Sequence, residues 1–137
     1  MKFEDTIYFK NLKPFKLEMP FGKFYFLDTF FVSELNEGVH FSWEMIESVL
    51  VELLKFYKTK PKLGYISNRV NSYSMDPHTW ERVDKEYGII VASAIVSYNN
   101  ITFMNATLEK HFSTKSIKRC TNLNEAIEFI LNLKELN

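Results

Sequence analysis

A chain of 137 residues with 46% hydrophobic and 25% charged side chains is long enough to bury a core without disulfides or metals. Its 17 Lys and Arg balance 17 Asp and Glu, so no long-range field draws it to nucleic acid or to an anionic membrane surface. One cysteine, Cys120, excludes an intramolecular disulfide and a multi-cysteine metal site.

Residues 1–14 alternate weakly and end at Pro14, which predicts a short edge element or an arm. Glu4 and Asp5 stand where a signal peptide would be basic, and no apolar run approaches the ~20 residues that span a bilayer. The expectation is a cytoplasmic protein without membrane insertion. Phe15–Met19 alternates apolar and charged residues, Pro20-Phe21-Gly22 supplies a turn, and 23–35 resumes in aromatic and β-branched residues, so a β-hairpin is predicted. The second strand is apolar on both sides, with Phe24, Phe26, Phe30 and Val32 on one and Tyr25, Leu27 and Phe31 on the other. Aromatics make up 16% of the chain, including 13 Phe, so this strand motivates a homodimer that would hide it; helices of the same chain are the alternative cover.

Asn36-Glu37-Gly38 breaks the strand, and Ser42 starts a predicted helix to about Tyr57 with Ile46, Val49, Leu50 and Leu53 on its apolar face. Leu63 to Val70 reads as a central strand. Asp76-Pro77 signals entry into a helix that runs to about Tyr87 and ends at Gly88. The apolar run Ile89–Val96 predicts a parallel strand covered on both faces. A helix capped by Asn99 or Asn100 follows, with Ile101, Met104, Leu108 and Phe112 aligned as its apolar stripe. Ser116–Thr121 suits a sheet edge, and Asn122 with Glu125 opens a last helix. These elements give one α/β domain over 1–137, with a mixed sheet, an N-terminal antiparallel hairpin and parallel β-α-β crossovers.

Function is expected where the central strand delivers its carboxyl end to a helix N-terminus. There lie Asn68, Arg69, Asn71, Ser72, Tyr73, Ser74, Asp76 and His78. Arg69 suits bidentate binding of a carboxylate or phosphate, weighed against a structural ion pair with an acid of the chain. The three histidines, His40, His78 and His111, show no metal-ligand spacing, and Cys120 reads as an inert thiol. No metal or cofactor is expected. Lys55, Lys58, Lys60 and Lys62 read as a solvated helix end rather than an anion site. No nucleophile elbow or glycine-rich phosphate loop is present, so no catalytic residue is assigned; a hydrolase on Ser74 and His78 is the remote alternative.

The hairpin, the alternating strands and helices, and the loop Asn71-Ser72-Tyr73-Ser74-Met75-Asp76-Pro77 before a short helix resemble the STAS domain, or SpoIIAA-like fold, over about residues 15–135. The chain also looks like uncharacterised STAS-like proteins of Bacteroidetes-type bacteria. The resemblance implies a non-enzymatic regulatory or protein-interaction domain, with Ser72 or Ser74 at the place of the family's phosphorylated serine. The glycine and the Asp-Ser-Ser order of that motif are absent here. The alternative function is binding of a small apolar or acyl ligand in a pocket lined by Phe and Trp, as the related CRAL-TRIO architecture suggests.

Overall fold

The computed structural model describes residues 1–136. A 3-10 turn at Phe3–Asp5 and helix α1 (Ile7–Leu12) lead into strands β1 (Phe15–Met19), β2 (Gly22–Phe26) and β3 (Phe30–Leu35). Helices α2 (Trp43–Tyr57), α3 (Thr79–Glu86) and α4 (Asn100–Lys110) then alternate with β4 (Leu63–Asn68), β5 (Ile90–Val96) and β6 (Ser116–Cys120), and α5 (Leu123–Leu131) follows. All six strands form one sheet in the order β1-β2-β3-β4-β5-β6. The first three pair antiparallel and the rest pair parallel, which is the mixed α/β sheet expected from the sequence.

The predicted strand over 23–35 is two strands. A turn intervenes, in which Leu27 N–H donates to the Phe30 carbonyl at 2.8 Å. Antiparallel register then sets Phe26 opposite Phe31 and Tyr25 opposite Val32, and paired residues share a face. Phe31 therefore joins Phe24 and Phe26, whereas Phe30 and Val32 join Tyr25, which exchanges the facing expected for one unbroken strand.

Two apolar layers result, one on each side of the sheet. The first packs Phe24, Phe26, Phe31 and Leu35 against Ile46, Val49, Leu50 and Leu53 of α2 and Trp80 and Val83 of α3. The second packs Tyr25, Phe30, Val32, Ile66 and Val96 against Leu123, Ala126, Ile127 and Ile130 of α5. Both sides of the aromatic strands are thus covered by the chain's own helices, and their aromatic content no longer argues for a dimer. Residues 1–14 are no edge strand or loose arm: Thr6 Oγ1 accepts from Phe9 N–H to start α1, and Phe3 lies fully buried in the second layer, 5.1 Å from the Tyr25 ring.

Two helices depart from their sequence reading. Asp76 does not cap α3 directly; its carboxylate accepts from His78 N–H at 3.0 Å, a separate turn joins Thr79 N–H to the Asp76 carbonyl, and α3 begins at Thr79. The cap of α4 is Asn99, whose side chain accepts from Thr102 N–H at 2.8 Å, but its apolar stripe is turned out. Ile101, Met104 and Leu108 are 75%, 69% and 52% exposed, and the buried side carries Thr102, Ala106 and Glu109.

Close pairing of β2 with β3 depends on Gly22. A Cβ there would stand 2.8 Å from the Glu34 carbonyl oxygen and 2.9 Å from Leu35 Cα, both main-chain atoms of the neighbouring strand. We expect Gly22→Ala to cost about 1–3 kcal/mol in urea unfolding, the usual range for overpacking; unchanged stability would show that the two strands separate freely.

Candidate functional site

Alternation along β4 splits the predicted site between the two faces of the sheet. Tyr65 lies in the first layer and Ile66 in the second, and the residues that follow continue the alternation. Ser67 and Arg69 accordingly project toward α3 and α4, and Asn68 projects toward the N-terminal segment.

Arg69 is 6% exposed, and each of its three guanidinium nitrogens donates within the chain. Its two terminal nitrogens donate to the two carboxylate oxygens of Glu109 at 2.6 and 2.7 Å, and Nε donates to Ser67 Oγ at 3.1 Å. The Trp80 indole N–H donates to the same carboxylate at 2.8 Å. Tyr73 completes the cluster: its ring lies 4.9 Å from the guanidinium carbon, and its hydroxyl pairs with Ser67 Oγ at 2.9 Å. The structure gives Arg69 the structural ion pair weighed in the sequence reading, with its buried guanidinium turned to Glu109.

Asn68 is 1% exposed and serves a second polar cluster. Its amide donates to Glu34 Oε2 at 2.7 Å and to the Met1 carbonyl at 2.9 Å, and its oxygen accepts from the Tyr98 hydroxyl at 2.7 Å. Glu34 Oε2 also accepts from Phe3 N–H at 2.7 Å. Burial pushes the Glu34 carboxyl above its ordinary range, against the lowering effect of those two donors. Asn68 thus holds the N-terminal segment onto the ends of β3 and β4 and is closed to a partner.

Asn71, Ser72, Ser74, Asp76 and His78 remain exposed on a loop that is fixed from below. Asn71 donates to the Leu35 carbonyl at 3.1 Å, and the loop zips to the segment after β3 through Gly38 N–H to Ser72 O, Phe41 N–H to Ser74 O and Ser74 N–H to Val39 O, at 2.8 to 2.9 Å. Ser72 N–H donates to Glu37 at 2.8 Å. The hydroxyl of Ser74 pairs with His40 Nδ1 at 2.8 Å, whereas His78 turns its ring against Phe112 at 4.3 Å between centroids. A nucleophile on Ser74 with His78 as base is thereby corrected. His40, distant in sequence, holds that position, and Ser74 N–H is spent on Val39, so it provides no oxyanion donor.

No family model and no curated protein matches the chain. Among solved structures, an uncharacterised protein of the DUF3478 family from Shewanella loihica PV-4, described as having a SpoIIAA-like fold, aligns with 85% of this chain and 91% of its own. The TM-score is 0.55 and the identity 10%. The fold is SpoIIAA-like. At that identity the likeness covers the path of the backbone and assigns no residue a role, and it adds nothing to a closer kinship with proteins of Bacteroidetes-type bacteria. In the first layer of the SpoIIAA-like fold lies a half-open apolar cavity of about 50 Å³ lined by Phe24, Phe31, Leu50, Tyr65, Trp80 and Val83. A cavity that takes up benzene is about 150 Å³, so this void holds no acyl chain unless α2 and α3 move apart. Burial pushes the Cys120 thiol up to about 12, which keeps it inert.

The sequence signal for Arg69 and Asn68 was position, and both sit in buried polar clusters; their partners Glu109, Trp80, Glu34 and Tyr98 come from α4, α3, β3 and the loop after β5, with no local spacing to reveal them. The raised Glu34 carboxyl has a thermodynamic consequence. Its proton is favoured in the fold, so its destabilising effect is absent below the unfolded carboxyl value, grows as pH rises through the folded one, and is complete above it. Glu34→Gln keeps an acceptor for Phe3 and Asn68 without the charge. We expect equal or higher thermal stability at neutral pH and a flatter stability profile between that pH and the acid limb; a large loss of stability at neutral pH would contradict this.

Proposed function

We propose that the protein is a non-catalytic interaction domain whose working surface runs from the exposed loop 71–78 onto the outer side of α4. The observation that carries this reading is the outward stripe of Ile101, Met104 and Leu108. Charged residues are depleted at the cores of protein interfaces and apolar ones tolerated there, and Lys110 is the single exposed charge of α4. The ring contact between His78 and Phe112, just past the end of α4, sets the C-terminal end of that helix beside the loop, and this supports treating loop and stripe together. The partner is a protein that presents an uncharged apolar face, and a second copy of this chain meets that description.

A regulatory phosphate, as in the STAS family, suits Ser74 better than Ser72. On Ser74 it stands beside the imidazole Nδ1 of His40; on Ser72 it stands beside the Glu37 carboxylate and is repelled. A cytoplasmic location belongs to this proposal; for its part, no helix among the described residues is long and apolar enough to cross a membrane.

Met104→Glu with Leu108→Glu tests the surface without touching the core, since both side chains are exposed. The expected result is unchanged thermal stability with loss of self-association in sedimentation, or loss of bound protein in a parallel affinity capture. Identical behaviour of variant and wild type in both measurements removes α4 from the interaction.

A further inference from the structure

The two edges of the sheet differ in chemistry. Strand β6 carries Lys118 and Arg119 without an acid, and charge of one sign guards an edge against pairing. Strand β1 carries Lys16 and Glu18, two residues apart and therefore on one face, with Phe15, Leu17 and Met19 on the other. Of the 13 phenylalanines only Phe15 and Phe56 are exposed, at 49% and 41%, and their rings stack 5.2 Å apart at this edge.

The hydrogen-bonding direction of β1 follows from its neighbours. Asn36 N–H donates to the Phe21 carbonyl and Leu27 N–H to the Phe30 carbonyl, so the odd-numbered residues of β2 exchange main-chain bonds with β3. Bonded pairs alternate along an antiparallel ladder, which directs Gly22, Phe24 and Phe26 to β1, where they meet Met19, Leu17 and Phe15. The N–H and C=O groups of Lys16 and Glu18 therefore point away from the sheet. Pro14 and Pro20 flank the strand and have no N–H to extend that row, so its outward donors end at these two residues.

We propose that β1 pairs antiparallel with β1 of a second copy of this chain, joining their sheets edge to edge about a twofold axis at Leu17. In that register Lys16 of each copy lies opposite Glu18 of the other and the two residues exchange both main-chain bonds, while Leu17 meets Leu17 as the closer, non-bonded pair. The charges select the register. Sliding by two residues sets Lys16 against Lys16 or Glu18 against Glu18, and sliding by one sets charged side chains of one copy beside apolar ones of the other. Sign then alternates across the joined sheet: Glu34, Lys23 and Glu18 are successive neighbours on β3, β2 and β1, and Lys16 of the second copy comes next. Lys16 is held on this face by Glu4 at 2.7 Å and Glu18 at 3.2 Å. On the other face Phe15 comes opposite Met19 of the second copy, which covers the exposed ring. The contact uses an edge, so it coexists with the helices that cover both faces of the sheet. It also leaves α4, held beside β6 at the far edge by Arg119 and Thr107, free on each copy for its own partner.

The test is read at β1 itself. Leu17→Cys, in a chain whose native Cys120 is buried, is expected to form an intermolecular disulfide in oxidised glutathione, because the closer antiparallel pair brings its Cα atoms within disulfide reach. Val51→Cys, exposed on α2, is expected to stay largely unlinked. Adding Glu18→Lys or Lys16→Glu to Leu17→Cys slows the cross-link about tenfold or more, and mixing the two variants restores it, since every facing pair then carries opposite charge. Should Leu17→Cys lower thermal stability, the charge variants are used without it: tagged Glu18→Lys is expected to capture untagged Lys16→Glu and not untagged Glu18→Lys. Met104→Glu with Leu108→Glu leaves the cross-link intact, so failure here and failure of the α4 surface are read separately. Equal linking at the two cysteines, linking unchanged by either charge reversal, or a mixture that neither links nor co-purifies overturns the assignment.

Discussion

The pairing of Arg69 with Glu109 constrains this structure more than any other single contact. Each side chain is 5% exposed, and an ion pair so far from water holds only when its remaining hydrogen-bonding capacity is met. Ser67 and Tyr73 meet it on the arginine side and Trp80 on the glutamate side, so strand β4, the loop after it, α3 and α4 all converge on one carboxylate and one guanidinium. The exposed orientation of α4 follows. With about 100° of rotation per residue, a helix that turns Glu109 inward also turns Thr102 and Ala106 inward and carries Ile101, Met104 and Leu108 away from the sheet. An apolar stripe that would ordinarily be core is displayed because an ionic contact has claimed the inward position.

The sheet topology explains why polar clusters gather at one end of the molecule. Parallel strands β3 to β6 all finish there, and every residue just past a strand end faces one layer or the other. Glu34 and Asn68 turn to the N-terminal segment, and Arg69 turns to the helices of the first layer. Among the described residues, the Ser97 hydroxyl, just past β5, is the buried side-chain polar group without a hydrogen-bond partner. The same end of the sheet thus contains two satisfied clusters that hold the fold and one unsatisfied hydroxyl beside a helix start.

Much of the fold was legible in the sequence because it rests on local patterns. The caps at Ser42, Asn99 and Asn122, the buried face of α2, the apolar run of β5 and the edge position of β6 each follow from short-range chemistry. The facing of Phe30 to Val32 did not, since a turn of ordinary residues at 27–29 carries no glycine or proline to announce it. The rotation of α4 was misread for a deeper reason. Periodicity identifies an apolar stripe, but which side of a helix is buried here was decided by Arg69, 40 residues away in the chain. The candidate site suffered equally: its position at the strand end was legible, whereas whether each polar group was free or already paired depended on partners from distant elements.

The central claim is that the buried pair organises β4, α3 and α4 as a unit. A double-mutant cycle with Arg69→Met and Glu109→Leu, followed by urea unfolding, tests it most directly. Each single change leaves a charge or its donors stranded and is expected to cost about 3–5 kcal/mol, while the double change recovers most of that loss, giving a coupling of several kcal/mol. A coupling of about 0.2–1 kcal/mol, the size found for exposed ion pairs, would contradict the account.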